Sequence, residues 1–275
     1  MNQLEEIAKD IRKTIFKIAY HAGGGHMASA FSMTDIVVTL YFGNILKYDA
    51  KNPEWEERDR FILSKGHACY ALYAVLAKTG YFEEIEILNI CKPGSVFGGH
   101  PKMHDIPGVE ASTGALGHGL SFSIGMALAH KLDRKKNHFY VMLGDGECQE
   151  GSIWEGALSA PTLELDNLTV IIDHNKLQAM DKLENIVHMK PFVEKWKAFG
   201  WNVIEINGHD FKEIEAALKE RKEKVPTVIV ANTIKGKGIS FMEEVPIWHY
   251  RMPNEEELSI VMKELGITRE ELNIK

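Results

Sequence analysis

Two short segments carry the residues best suited to chemistry. Gly144-Asp145-Gly146-Glu147 follows the apolar run 139–143, and Asp173-His174-Asn175-Lys176 follows the apolar run 168–172. Flanking glycines permit a sharp turn and a close approach of backbone to an anion. Asp145 places a carboxylate oxygen at the end of the first run, and Asn175, thirty residues on, a carboxamide oxygen at the end of the second. Hard oxygens of this kind suit Mg²⁺, or a related divalent cation such as Ca²⁺ or Mn²⁺, completed by water and phosphate oxygens. Gly146 and the helix start behind it would offer amide donors to those phosphates. Either segment alone is commonly no more than a turn. Together, at the ends of successive strands, they favour a metal-diphosphate site.

Several of the twelve histidines lie beside glycine, in Gly25-His26, Gly66-His67, Gly99-His100 and Gly117-His118, and His249 follows Trp248. Neutral imidazoles can donate to carbonyl, hydroxyl and phosphate oxygens and exchange protons near neutrality. Zinc is the competing use, but no pair stands at i, i+4 on a predicted helix. Ser112-Thr-Gly-Ala-Leu-Gly-His-Gly119 is rich in small residues. It suits backbone lying against a flat ligand or another chain, and equally a tightly packed helix start. Lys235-Gly-Lys-Gly238 could steady a phosphate or form a solvated turn.

Positioning these residues requires a frame. Leu4, Ile7, Ala8, Ile11, Ile15 and Ile18 are spaced as a first helix, with a glycine-rich break at 23–25. A second helix is predicted over 68–78, ended by Gly80. The runs 139–143, 168–172, 201–206 and 227–230 are rich in β-branched residues, and the segments between them are long enough for helices. Asp210 can cap one such helix, with Phe211, Ile214, Ala217 and Leu218 on its buried face. The pattern predicts an α/β fold: a doubly wound, mainly parallel sheet with helices on both faces. Ligands of such sheets bind at the carboxyl ends of the strands, which points to the loops after 143, 172, 206 and 230. No linker or repeat divides the chain, so residues 1–275 are expected to form one domain.

A net charge of −7 with no basic block argues against nucleic-acid and membrane-surface roles. Cys69, Cys91 and Cys148 are too scattered for a disulfide framework or zinc knuckle. The N-terminal residues contain no apolar signal segment, and the expected location is cytoplasmic.

Taken in order, Gly25-His26, Ser64-Lys-Gly-His67, Gly99-His-Pro101, Ser112-Thr-Gly-Ala-Leu-Gly117, Gly144-Asp-Gly146 with Gln149-Glu-Gly151, Asp173-His-Asn-Lys176 and Trp248-His249 resemble the N-terminal part of transketolase. The resemblance covers nearly the whole chain. It implies the diphosphate-binding type of the thiamine-diphosphate fold, with the cofactor held through Mg²⁺. It implies Asp145 and Asn175 as side-chain metal ligands and the Leu177 carbonyl as a third, within a turn formed by Gly144 and Gly146. His67, His249 and Lys235 match residues near the diphosphate, and Gly114 and Leu116 match backbone facing the aminopyrimidine. His26 and His100 match residues that hold the donor ketose. Glu150 and Glu155 match acidic residues of the subunit contact. The implied reaction moves a two-carbon ketol unit from a ketose phosphate to an aldose phosphate, with His26, His67, His100 and His249 around the reacting oxygens.

Three positions depart from the family pattern: His118 where glutamine is common, Met27 where proline is, and Tyr250 where glycine is. The usual transketolase also continues into a pyrimidine-binding domain and a third domain, and the glutamate that activates the aminopyrimidine lies there. The resemblance therefore implies a separate C-terminal partner subunit, in an α2β2 assembly. Other readings are the α chain of a 2-oxoacid dehydrogenase, a 1-deoxyxylulose-phosphate synthase-like subunit, and a non-catalytic scaffold paralogue. Lys65-Gly-His67 and Gly99-His-Pro101 weigh against the first, Ser112 to Gly117 against the second, and an intact Asp145 and Asn175 against the third.

Overall fold

A computed structural model describes residues 3–273. Five strands, β1 (Arg60–Leu63), β2 (Phe139–Gly144), β3 (Leu168–His174), β4 (Asn202–Asn207) and β5 (Thr227–Asn232), form one parallel sheet in the order β1-β2-β3-β5-β4. The helices are α1 (Gln3–Ala22), α2 (Met27–Phe42), α3 (Cys69–Thr79), the single turn α4 (Glu84–Ile87) and α5 (His118–Leu132). They continue with α6 (Gly151–Thr162), the single turn α7 (Leu183–Ile186), α8 (Phe192–Ala198), α9 (Phe211–Lys219), α10 (Glu255–Leu265) and the single turn α11 (Arg269–Leu272).

The central strands read as unbroken apolar runs because both faces are covered. Tyr140, Met142, Ile171 and Ile229 point into one core with α1, α2, α3, α9 and α10. Phe139, Val141, Val170, Ile172, Val228 and Val230 point into the other, with α5, α6 and α8. The doubly wound α/β architecture expected from the sequence is the one observed, and all four predicted strands are present. Two elements carried no usable signal. β1 has only four residues, too few to show a pattern, yet it delivers Ser64 and Lys65 to the sheet's carboxyl edge. Every residue of α2 from Met27 to Tyr41 is buried, so no polar stripe marks it as a helix.

The helix ends expected at Gly80 and Asp210 are present. Gly80 ends α3 in the left-handed region, at φ 92°. Asp210 caps α9 by accepting from the Lys212 and Glu213 amides at 2.8 and 3.2 Å. Phe211 is only partly buried, while Ile214, Ala217 and Leu218 are in the core.

Register then fixes the site. Gly144 pairs with Asp173, and Asp173 with Ala231, so β2, β3 and β5 end level with one another. The loop after β4 behaves differently from expectation. His209 turns inward, with Nδ1 2.7 Å from Asp35 Oδ2, and its Nε2 accepts from the Ile234 amide at 2.8 Å. Asp35 is also gripped by the two terminal guanidinium nitrogens of Arg12, each at 2.8 Å. This loop is therefore a brace between α1, α2 and the segment after β5, and lines no part of the cavity described next. Among the described residues no helix is long and apolar enough to cross a membrane.

Candidate active site

At the carboxyl edge of the sheet lies a cavity of about 410 Å³. Asp145, with Gly144 and Gly146 beside it, arrives from the end of β2, Asn175 and Leu177 from the end of β3, and Lys235 from beyond β5. His26 comes from the break between α1 and α2, and His67 from the turn between β1 and α3. His100, Gly114 and Leu116 come from the segment before α5, and His249 from the turn 246–250. Twelve of the fourteen residues singled out from the sequence thus share one cavity. Glu150 and Glu155 do not: both are exposed, Glu150 at the N-cap of α6 and Glu155 on its outer face.

On the β2–β3 side, oxygens are arranged for a hard cation. Asp145 accepts from the Gly146 amide at 2.7 Å and the Lys176 amide at 2.5 Å. The Gly146 amide, expected to face a phosphate, is thus engaged by the neighbouring carboxylate. Asn175 Oδ1 accepts from the Leu177 amide at 3.1 Å. The Leu177 and Gln178 carbonyls both accept from the Lys235 ammonium, at 3.1 and 3.3 Å, so this carbonyl pair is already aimed at positive charge. Gln178 Nε2 is buried beside them without a hydrogen-bond partner, a donor suited to a phosphate oxygen. The set fits a divalent cation bound together with a diphosphate. Among the described residues no three His, Cys, Asp or Glu side chains converge as a metal cage, so carboxamide, carbonyl and ligand oxygens would have to complete the shell.

The histidines form the other wall. Ring centroids lie 5.1 Å apart for His26 and His67, 4.9 Å for His26 and His249, and 5.8 Å for His67 and His249. Burial, followed by the nearby histidines and lysines, depresses the pKa of His26 to about 4, of His67 to about 2 and of His249 to about 3. All three rings are neutral at physiological pH. Burial and the charge of Lys65 lower Lys235 to about 8, which still leaves it an ammonium at pH 7. It donates to His249 Nδ1 at 2.9 Å, so the proton of that ring resides on Nε2.

These shifts predict a pH dependence of stability. An unfolded histidine titrates near 6.5. Below that pH the unfolded chain binds more protons than the folded one, so stability rises with pH in this window. The contribution is fully present above about pH 6.5 and is lost as pH falls towards the folded values. The slope is at most about 1.4 kcal/mol per pH unit for each ring, and less for partly exposed rings. Calorimetry should show a falling melting temperature between pH 7 and 5, flattened by His249→Asn. A melting temperature constant across that range would contradict the buried, neutral cluster.

The 112–117 segment is locked to the β2–β3 side by a residue given no role in the sequence reading. The Glu147 carboxylate, 2% exposed, accepts from Ser64 Oγ at 2.5 Å, the Gly117 amide at 2.9 Å and the Gly144 amide at 3.0 Å. Burial nevertheless raises its pKa above the usual carboxylate value. Gly117 sits at φ +86°, where a Cβ would lie 2.7 Å from Glu150 Cβ, so glycine is required twice over. Lys65, also in the wall and 1% exposed, was likewise not singled out. Charged residues beside glycines read as solvated turns, and no sequence period betrays their burial. Ser29, Gln178 and Ala179 complete the lining without any motif of their own.

Of the three departures, only Tyr250 stands at the histidine cluster, its ring 5.0 Å from His26 and its surface 65% exposed. Met27 is buried, and exposed His118 stacks on Phe122. A second cavity of about 460 Å³ shares Asn175 and Leu177 but contains neither Asp145 nor the histidine cluster, and so offers less chemistry.

Comparison with known proteins identifies the family. The family profile described as "Transketolase, thiamine diphosphate binding domain" matches residues 4–275. The chain is 37% identical over 271 residues to an apulose-4-phosphate transketolase subunit of Phocaeicola vulgatus, covering 98% of this chain and 96% of that protein. It is 42% identical over 243 residues to 6-deoxy-6-sulfo-D-fructose transketolase subunit SqwG of a Clostridium species, covering 87% and 88%. The solved structure of transketolase from Leishmania mexicana superposes with a TM-score of 0.91 at 28% identity, over all of this chain and 43% of that one. The chain belongs to the transketolase family, as a thiamine diphosphate binding domain.

Proposed function

We propose that this chain is the thiamine-diphosphate- and Mg²⁺-binding subunit of a two-chain transketolase, transferring a two-carbon ketol unit from a ketose phosphate to an aldose phosphate. The carrying observation is the convergence of Asp145, Asn175 and the Leu177 carbonyl with four histidines in one cavity. When bound, the cofactor's thiazolium ring supplies the electron sink for cleaving and remaking a C–C bond beside a carbonyl. Asp145, Asn175 and Leu177 would hold the metal, with Lys235, His67 and Gln178 turned to the diphosphate. His26, His67, His100 and His249 would orient the sugar oxygens and hold or pass protons as neutral rings. The histidine-lined wall suits hydroxyl-rich sugars better than 2-oxoacids.

A partner is needed for the remaining acid. Among the described residues the cavity is lined by two carboxylates, Asp145 and Glu147. Asp145 is on the metal side, and Glu147 is engaged by Ser64, Gly117 and Gly144. Neither is free to protonate an aminopyrimidine, so we assign that acid to a C-terminal subunit in an α2β2 complex, with Glu150 and Glu155 at the contact. The names of the relatives, which are subunits, support this assembly. The complex from the native source should contain equal numbers of this chain and a second one, and turn over sugar phosphates only when both are present. Full turnover by this chain alone would refute the two-chain reading.

A further inference from the structure

Beneath the cavity floor lies a buried network with no assigned role. Asp173 is 0% exposed and accepts from four side chains contributed by four parts of the fold. Ser32 Oγ of α2 donates to Oδ2 at 2.5 Å, and Asn175 Nδ2 donates to the same oxygen at 3.2 Å. The Lys65 ammonium, beyond β1, donates to Oδ2, and the Thr233 hydroxyl, beyond β5, to Oδ1. Lys65 is 1% exposed and also donates to the Ser29 carbonyl at 3.1 Å, so it ties Asp173 to α2 from the cavity wall.

We propose that Asp173, anchored by Lys65, is the positioning residue that decides which atom of Asn175 faces the bound cation. The inference rests on the reading above, in which Asn175 is a metal ligand. An ionised carboxylate only accepts hydrogen bonds, whereas a carboxamide has a donating end and an accepting end. Asp173 therefore takes the NH₂ of Asn175 and leaves Oδ1 on the opposite side. There Oδ1 accepts from the Leu177 amide and keeps a second lone pair for a cation. With an amide at 173, either end of Asn175 could face inward, and one of the two orientations presents N–H groups to the metal. Groups that orient metal ligands in this way typically account for 10–100-fold in metal affinity.

A merely structural ion pair would behave differently. Losing one member leaves a buried charge unpaired and destabilises the fold, while losing both together is often tolerated. Mn²⁺ affinity can be measured by EPR on the complex of this chain with its partner subunit, in the presence of thiamine diphosphate, with melting temperatures recorded alongside. For K65M/D173N we expect a melting temperature within a few degrees of the parent but Mn²⁺ affinity lower by about 10–100-fold. Parental affinity in that folded double variant would overturn the proposal. A second pair guards against a folding failure. D173N should lose affinity, and D173N/N175D should regain most of it, because a carboxylate at 175 has an oxygen facing the cation in either orientation. Absence of rescue would also overturn the proposal. Asn175→Ala is the control on the underlying reading: unchanged Mn²⁺ affinity there would remove Asn175 from the metal site, whereas loss there with no effect at 173 would reject the orienting role alone.

Discussion

Asp145→Ala should abolish Mg²⁺-dependent cofactor binding and lower turnover of the reconstituted complex by at least about 10³-fold. Asp145 is 2% exposed and held rigidly by two backbone amides, so its carboxylate reaches the cavity already oriented. Its charge and that of Asp173 both favour the Lys235 ammonium, and Asp173 is itself paired with Lys65. Removing the Asp145 charge weakens the negative field at Lys235, which favours a bare diphosphate and disfavours a metal-bound one. Titrating cofactor with and without Mg²⁺ should therefore show that the variant loses the metal dependence first. The change makes only a small cavity beside solvent, and the fold, followed by circular dichroism, should survive. A folded variant that still binds cofactor in a metal-dependent way would place the metal elsewhere.

The second large effect is expected at His67. Replacing it with alanine should lower kcat by about 10²–10⁴-fold, the usual range for a group that transfers or stabilises a proton. The residue is held in the turn between β1 and α3, beside the rings of His26 and His249, and burial keeps it neutral. With His26, His67 and His249 all titrating at about 4 or below, none should produce a break in the rate profile between pH 6.5 and 8. Steady-state kinetics at saturating cofactor can check both points. A loss below fivefold, or an acidic limb near pH 6.5 that disappears in the variant, would contradict the assignment.

Much of this site was legible because its residues sit at strand ends, where glycine and hard-oxygen side chains stand out from apolar runs. Asp145 and Asn175 could be placed side by side from two strands and their spacing alone. His26, His67 and His100 were recognisable by their glycine neighbours, which mark close approaches of backbone, whereas His249 stands between Trp248 and Tyr250. What escaped is buried charge. Lys65, Glu147 and Asp173 look like loop residues in sequence, and only tertiary contacts supply their partners. The loop after β4 misled for a related reason. Its position at the sheet's carboxyl edge is that of a ligand loop, but His209 finds a better partner in Asp35 than in the cavity. Helix α2 hid because its sequence has no polar face to set a period.

That brace has a consequence for how the protein can change. Arg12 grips Asp35, Asp35 contacts His209, and His209 accepts from the Ile234 amide immediately before Lys235. A selection for altered cofactor affinity would thus return hits at positions 12, 35 and 209, none of which lines the cavity. Arg12 also donates from Nε to the Lys237 carbonyl at 3.0 Å, so the three side chains brace one segment together and their losses should not add. Residues 12, 35 and 209, far apart in the chain, thus act as one unit on the segment that carries Lys235.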